Sequence, residues 1–300
     1  VQEACNCFTI DVEDWFHILD TPVAPTIDQW ASLKPRVDIG LNRMLDLLDK
    51  YSVKATMFWL GWMAEQHPAL IRRCADAGHE IASHGYGHVL AYEVGPDRFF
   101  DDISRGKAVL QDITGCDITG FRAAGFSTTE DTDWTFEKIS QAGYVYDSSV
   151  FPASRGHGGK QNSCLEPGII ETPTGELVEL PQSMIEAGGK RVSLFGGGYL
   201  RLAPQWLIRS GVKRLHRAGR PLIIYVHPRE ADPDHPRLPI GFKRSFKSYI
   251  NLKTTMPKLE MLCRDLTFVT MRELSDRTHR AANPQAGPKD QTVQPCASSS

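Results

Sequence analysis

The chain has 300 residues, 41% of them apolar and 23% charged, with a formal charge of −2 and a pI near 6.6; this balance suits a globular protein with ample core material. Lysine and arginine are scattered, so nothing draws a phosphate backbone and nucleic acid is excluded as an expected partner. No apolar run approaches the ~18 residues needed to cross a bilayer, and no charged-then-apolar leader opens the sequence, so the expectation is a soluble, cytoplasmic protein.

The first strand is expected at Cys7 to Asp11. A polar loop through Pro22, Pro25 and Pro35 follows, then Leu41, Met44, Leu45 and Leu48 at the spacing of one helix face. Val53 to Leu60 has the β-branched and aromatic content of a buried strand, Pro68 to Ala77 reads as a helix stopped by Gly78, and His79 to Ser83 as a third strand. Phe99, Ile103, Leu110 and Ile113 mark a helix face closed by Gly115. Ile118 to Arg122 is a strand, Thr132 to Ala142 a helix, and Tyr144 to Asp147 a short strand. Residues 153–200 break the alternation with Gly156, Gly158, Gly159 and Gly196-Gly197-Gly198 around strand-like runs at 169–171 and 177–179, and are expected to be an elaborated insertion. Gln205 to Ala218 is a helix, Leu222 to Val226 a strand, Leu252 to Cys263 a helix despite Pro257, and Leu266 to Thr270 the last strand. From about Ala281 the composition turns to Pro, Gln, Ser and Gly and predicts a disordered tail. The chain is thus read as one domain over 1–280 with a tail at 281–300. The seven cysteines (Cys5, Cys7, Cys74, Cys116, Cys164, Cys263 and Cys296) are odd in number and include no Cys-x-x-Cys, which favours free thiols.

Alternating strands and helices imply a parallel sheet. Asp11, His84, Arg122, Asp147 and His227 all fall at carboxyl ends of expected strands, the edge that carries the active site in α/β barrels. His84 and His88 lie in Ser83-His84-Gly85-Tyr86-Gly87-His88, where two glycines let the backbone turn both rings toward one point, as a divalent metal requires. Three acids, Asp11, Glu13 and Asp14, crowd the end of the first strand and offer the carboxylate that would complete the site.

In order, Thr9-Ile10-Asp11-Val12-Glu13-Asp14, the His84 to His88 motif, Phe121-Arg122-Ala123-Ala124-Gly125-Phe126, Tyr146-Asp147-Ser148-Ser149 and Ile224-Tyr225-Val226-His227-Pro228 resemble the five motifs of the NodB-homology polysaccharide deacetylases, carbohydrate esterase family 4. The Gly196-Gly197-Gly198-Tyr199-Leu200-Arg201-Leu202 stretch and the residues after His227 resemble the branch found beside exopolysaccharide and exosortase gene clusters. The resemblance implies a distorted (β/α) barrel of about seven strands that hydrolyses N-acetyl groups on a saccharide. It also implies a divalent metal, zinc first, with cobalt, nickel or manganese as alternatives. Asp11 would then be the general base and His227 the general acid; Arg122 would orient Asp11, and Asp147 would support His227. Phe126 and Tyr199 are the substrate-binding candidates.

Two positions depart from the family pattern. Val12 separates Asp11 from Glu13, where the family has adjacent aspartates, so the metal carboxylate is either Glu13, which shares a strand face with Asp11, or Asp14, which a bend after Val12 would bring round. Ala124 stands where proline is common, leaving the oxyanion loop less rigid. An amide hydrolase acting on a non-sugar substrate and a saccharide-binding protein without catalysis are the competing readings.

Overall fold

The computed structural model describes residues 5–19, 21–154 and 158–284. Gly156, Cys296 and the expected tail from 285 onward lie outside these. In chain order the elements are β1 (Asn6–Val12), α1 (Ile27–Trp30), α2 (Val37–Lys50), β2 (Thr56–Trp59), α3 (Gly61–Gln66), α4 (Pro68–Asp76), β3 (Glu80–Ser83), α5 (Ala91–Thr114), β4 (Gly120–Phe121), α6 (Trp134–Gln141), β5 (Tyr146–Asp147), β6 (Gly168–Thr172), β7 (Gly175–Glu179), β8 (Ile185–Ala187), β9 (Lys190–Val192), α7 (Gly197–Leu202), α8 (Gln205–Arg217), β10 (Leu222–Val226), α9 (Phe242–Tyr249), α10 (Thr255–Asp265) and α11 (Met271–Ala282).

The described residues form two compact units, 5–55 with 183–269 and 56–182 with 270–284. In the first, β1 and β10 run parallel with Ile10 opposite Val226, so Asp11 and His227 leave their strands at the same end. All seven residues of β1 and all five of β10 are buried, which explains why both read as continuous apolar runs rather than alternating ones. Helix α2 buries Val37, Leu41, Met44, Leu45 and Leu48, the face set by the spacing of its leucines. Gly40 lies on it because a Cβ there would stand 1.9 Å from the carbonyl oxygen of Pro228, so only glycine permits this approach.

In the second unit the strand order is β2-β3-β4-β5-β7-β6, with only β6 antiparallel to its neighbour. The hairpin of β6 and β7, expected within an insertion, extends this sheet through the pairing of β7 with β5. Helix α5 is broken at Gly95, whose φ is +77°, and continues from Pro96, which is tolerated at a helix start.

The last strand expected, Leu266 to Thr270, is a single parallel bridge from Val269 to Cys7. Thr270 instead caps α11, accepting a hydrogen bond from the Glu273 N–H; this helix runs to Ala282, into the stretch expected to be disordered. Pro257 sits in the first turn of α10, where its missing N–H costs no intrahelical bond. Cys74, Cys164 and Cys263 carry free thiols, whereas Cys116 is disulfide-bonded, which corrects the expectation of a free thiol there.

Candidate active site

The loop carrying the two histidines is built within the second unit. The Asp102 carboxylate of α5 accepts the backbone N–H groups of Tyr86 and Gly87 at 2.9 and 2.8 Å. Gly85 adopts φ +78°, and a Cβ there would stand 2.5 Å from that carboxylate. His88 also has a positive φ of 55°. The turn brings the His84 and His88 rings to 5.3 Å between centroids, both buried. His84 Nδ1 lies 2.7 Å from the Arg122 carbonyl oxygen. A carbonyl only accepts, so Nδ1 carries the proton and Nε2 presents its lone pair, the tautomer that a metal-ligating imidazole needs. This donor chemistry fits a divalent transition metal.

Arg122 is fully buried, its guanidinium 4.0 Å over the Phe58 ring and within 3.2 Å of the Ser148 hydroxyl oxygen. Asp147, also fully buried, accepts from the Ser149 hydroxyl, and the buried Glu179 carboxyl lies close enough to feel its charge. Burial, and then the Asp147 charge, push the Glu179 carboxyl well above the ordinary glutamate range, while burial raises Asp147 as well. Two carboxyls in one dry site disfavour a second negative charge. Phe126 is buried with a φ of +54° and packs its ring 5.5 Å from that of Phe151.

The first unit carries the acids of β1 and the histidine of β10. The Glu13 N–H bonds back to the Asp11 carbonyl at 3.0 Å, so the chain turns tightly at Val12 as the strand ends. Nε2 of His227 lies 3.9 Å from Asp11 Oδ2 and 3.8 Å from Glu13 Oε1, beyond direct hydrogen-bond reach. Its other ring nitrogen is engaged: Nδ1 is 2.8 Å from Glu230 Oε1, which also accepts the His227 backbone N–H. Glu230 is buried and its second oxygen lies 3.4 Å from Nε of Arg201. Burial raises this carboxyl, but the Arg201 guanidinium and the His227 hydrogen bond outweigh it and hold its pKa below the ordinary glutamate value. An ionised Glu230 fixes a proton on Nδ1 and leaves Nε2 to gain or lose one.

Asp14 is committed elsewhere. Its Oδ1 accepts the Trp15 N–H at 2.7 Å and its Oδ2 the Arg36 and Val37 N–H groups at 2.7 and 3.0 Å. These last two open α2, so the carboxylate sits at the positive end of that helix. Glu13 is buried with Arg229 Nη1 at 3.8 Å. Tyr199 is 40% exposed on α7.

The structure thus brings Asp11, Glu13 and His227 together in one unit and His84, His88 and Arg122 in the other. Glu230 and Arg201 entered the sequence reading only as members of the two branch-like stretches and were not named as site residues. Glu230 lies three residues past His227 in a short 3-10 turn, with no strand-end position to flag it.

Residues 26–146 match the polysaccharide deacetylase family, and 148–276 match a domain of unknown function, DUF3473. Over 113 residues the chain is 30% identical to a peptidoglycan deacetylase of Helicobacter pylori, covering 38% of each protein. Over 73 residues it is 36% identical to a peptidoglycan-N-acetylglucosamine deacetylase of Bacillus cereus, covering 24% of this chain and 26% of that protein. The chain therefore spans well under half the length of these curated relatives. Among solved structures, a Mycobacterium smegmatis protein assigned as a polysaccharide deacetylase aligns with a TM-score of 0.63 at 20% identity over 94% of this chain and 93% of that one. PuuE allantoinase aligns at 0.60 and 16% identity, over 94% and 92%. The fold is α/β, a distorted (β/α) barrel of the type these structures share. The match over 26–146, less than half of the chain, identifies a polysaccharide deacetylase domain within it.

Proposed function

We propose that the protein hydrolyses N-acetyl groups on a saccharide and depends on a divalent metal to do so. The observation that carries this reading is the pairing of a tautomerically fixed His227 with Asp11, Nε2 to Oδ2 at 3.9 Å, in a chain whose 26–146 segment matches the deacetylase family. Glu13, His84 and His88 are the buried residues proposed to hold the metal. When bound, such an ion acts as a Lewis acid toward the acetamide oxygen and increases the acidity of water, and zinc is the first choice for a His, His, carboxylate set.

Asp11 takes a proton from the attacking water as its oxygen bonds to the acetyl carbon. The developing oxyanion is met by a backbone N–H in the loop after Arg122, beyond Ala123, whose own N–H is donated to the Ser149 hydroxyl at 2.7 Å. His227, protonated on Nε2 and steadied through Nδ1 by Glu230, gives that proton to the departing amine as the C–N bond breaks. Acetate and a free amino sugar result. Arg122 orients Asp11 in this scheme, and Asp147 acts at one remove, within its buried pair with Glu179. The catalytic residues are read as parts of one catalytic domain. Peptidoglycan fragments and acetylated exopolysaccharide precursors, lipid-linked ones included, are the substrate classes to test, with Phe126 and Tyr199 as candidate sugar-binding side chains.

The likeness to an allantoinase concerns the fold alone, and the deacetylase match favours the sugar substrate. Acetate release from N-acetylglucosamine oligomers, measured with chelator and again after added zinc or cobalt, is the test. Chelation should abolish release and zinc restore it. Full activity in demonstrably metal-free protein would end the metal-dependent mechanism, and turnover of allantoin without acetate release would favour the amide hydrolase.

A further inference from the structure

The first unit carries exposed apolar side chains of which the proposed reaction uses Tyr199 alone. Eight large apolar side chains are exposed among the described residues, and five of them fall on α7, α8 and α9: Tyr199, Leu202, Trp206, Phe242 and Phe246. Trp206 is 70% exposed and Phe242 86%, a large cost in contact with water for aromatic side chains that a core could hold.

Charge is distributed unevenly around the same elements. Between Glu186 and Glu230 the sequence has nine lysines and arginines and no acid, and between Asp234 and Glu260 six and no acid. Arg201, Arg209, Arg220 and Arg229 face Glu230, Asp265, Glu186 and Glu13, so the excess base open to a partner centres on the lysines of α9.

Helix α9 combines the two features. Phe242 and Phe246 stand one turn apart, and Lys243 and Lys247 repeat the same spacing beside them, all four exposed. Tyr249 continues the apolar face into a buried cluster with Ile18, Ile240 and Leu252, which anchors the helix at its C-terminal end. Arg201 of α7 donates to the Lys247 and Ser248 carbonyls at 2.8 Å each, tying α7 to that end. The two phenylalanines therefore project from a fixed support.

We propose that this face of α7, the start of α8 and α9 docks on the anionic headgroups of a lipid bilayer, with Trp206, Phe242 and Phe246 entering the headgroup boundary. Aromatic tips flanked by lysines with no interspersed acid match an anionic, amphipathic surface. A second copy of the chain would set one basic face against another, a repulsive arrangement. Among the described residues no helix is long and apolar enough to cross a membrane, so the contact is superficial. The proposal stands apart from the reaction and does not rest on it.

The test is co-sedimentation of the full chain with vesicles of neutral phosphatidylcholine and with vesicles in which about a third is phosphatidylglycerol; partitioning should be at least about tenfold stronger on the anionic vesicles and should fall with added salt. Replacing Phe242→Ser with Phe246→Ser, or Lys243→Glu with Lys247→Glu, should each weaken it by about tenfold or more while the melting temperature stays at the wild-type value. Equal partitioning on both vesicle types, no partitioning, or variants that bind like wild type would overturn the proposal. A wild-type dimer converted to monomer by the phenylalanine pair would assign the face to a second copy instead. Oligonucleotide binding lost in the lysine pair, with vesicle binding intact, would assign it to nucleic acid.

Discussion

His227 Nδ1 lies 2.8 Å from Oε1 of Glu230, and the same oxygen receives the His227 backbone N–H. One buried carboxylate therefore sets both the tautomer of the ring and the conformation of the turn that carries it. The resemblance gives a supporting role of this kind to Asp147, which accepts from the Ser149 hydroxyl.

Glu230→Gln should lower kcat by about 10- to 100-fold with KM and metal content little changed, because an amide holds the ring less firmly in its tautomer and cannot carry the charge. Steady-state kinetics on an acetylated chitooligosaccharide, with metal analysis alongside, checks it. A variant with wild-type kcat would remove Glu230 from any part in the reaction.

Asp11→Asn and His227→Ala should each cost at least about 10²-fold in kcat while the metal stays bound, as expected for a general base and a general acid. Either variant losing its metal would transfer that residue to the ligand set.

Glu13 and Asp14 should separate cleanly. Glu13→Gln should abolish metal binding with little change in melting temperature. Asp14→Asn should keep the metal and destabilise the fold by about 1–3 kcal/mol, since it weakens a charged acceptor of three backbone N–H groups at the start of α2. Metal analysis and thermal melts distinguish the two, and metal lost only from the Asp14 variant would reverse the assignment.

The Asp147 and Glu179 pair makes stability depend on pH. Both carboxyls are raised by burial, so between their unfolded and folded pKa values the native state holds a proton that the unfolded chain has released. This contribution is full below the ordinary carboxyl range of about pH 4 and declines as pH rises through the raised values. Glu179→Gln removes the need for that proton. Its melting temperature should exceed that of wild type at about pH 8 and approach it toward about pH 5, and parallel curves at all pH values would count against a proton retained on folding.

Much of the architecture was legible because it rests on local pattern. The α2 leucines, the continuous apolar run of β10 and the glycine stops after α4, α5 and α8 each carry their own signal. The strand expected at 266–270 failed because its apolar content was real while its pairing, a single bridge to Cys7, depends on distant chain. Helix α9 was missed because its aromatic face points to water, so the usual inside-outside pattern is inverted. At the site, alternation along β1 pointed to Glu13, although β1 ends at Val12 in a tight turn that the sequence did not announce. Asp14 could not be excluded from spacing alone, since its partners, Arg36 and Val37, lie 22 and 23 residues away.

Helix α2 holds both the loop after Asp11 and the loop after His227 from behind. Its first N–H groups are bound by Asp14, one turn later Gly40 touches the Pro228 carbonyl beside His227, and Arg36 and Arg43 reach Asp232 and the Ala231 carbonyl. The helix works as a splint: the gap between Asp11 and His227 is gauged against a rigid rod rather than left to two loops. Other loop residues can then be exchanged without resetting that gap, while a methyl group added at Gly40 would meet the Pro228 carbonyl and wedge the His227 loop away from Asp11.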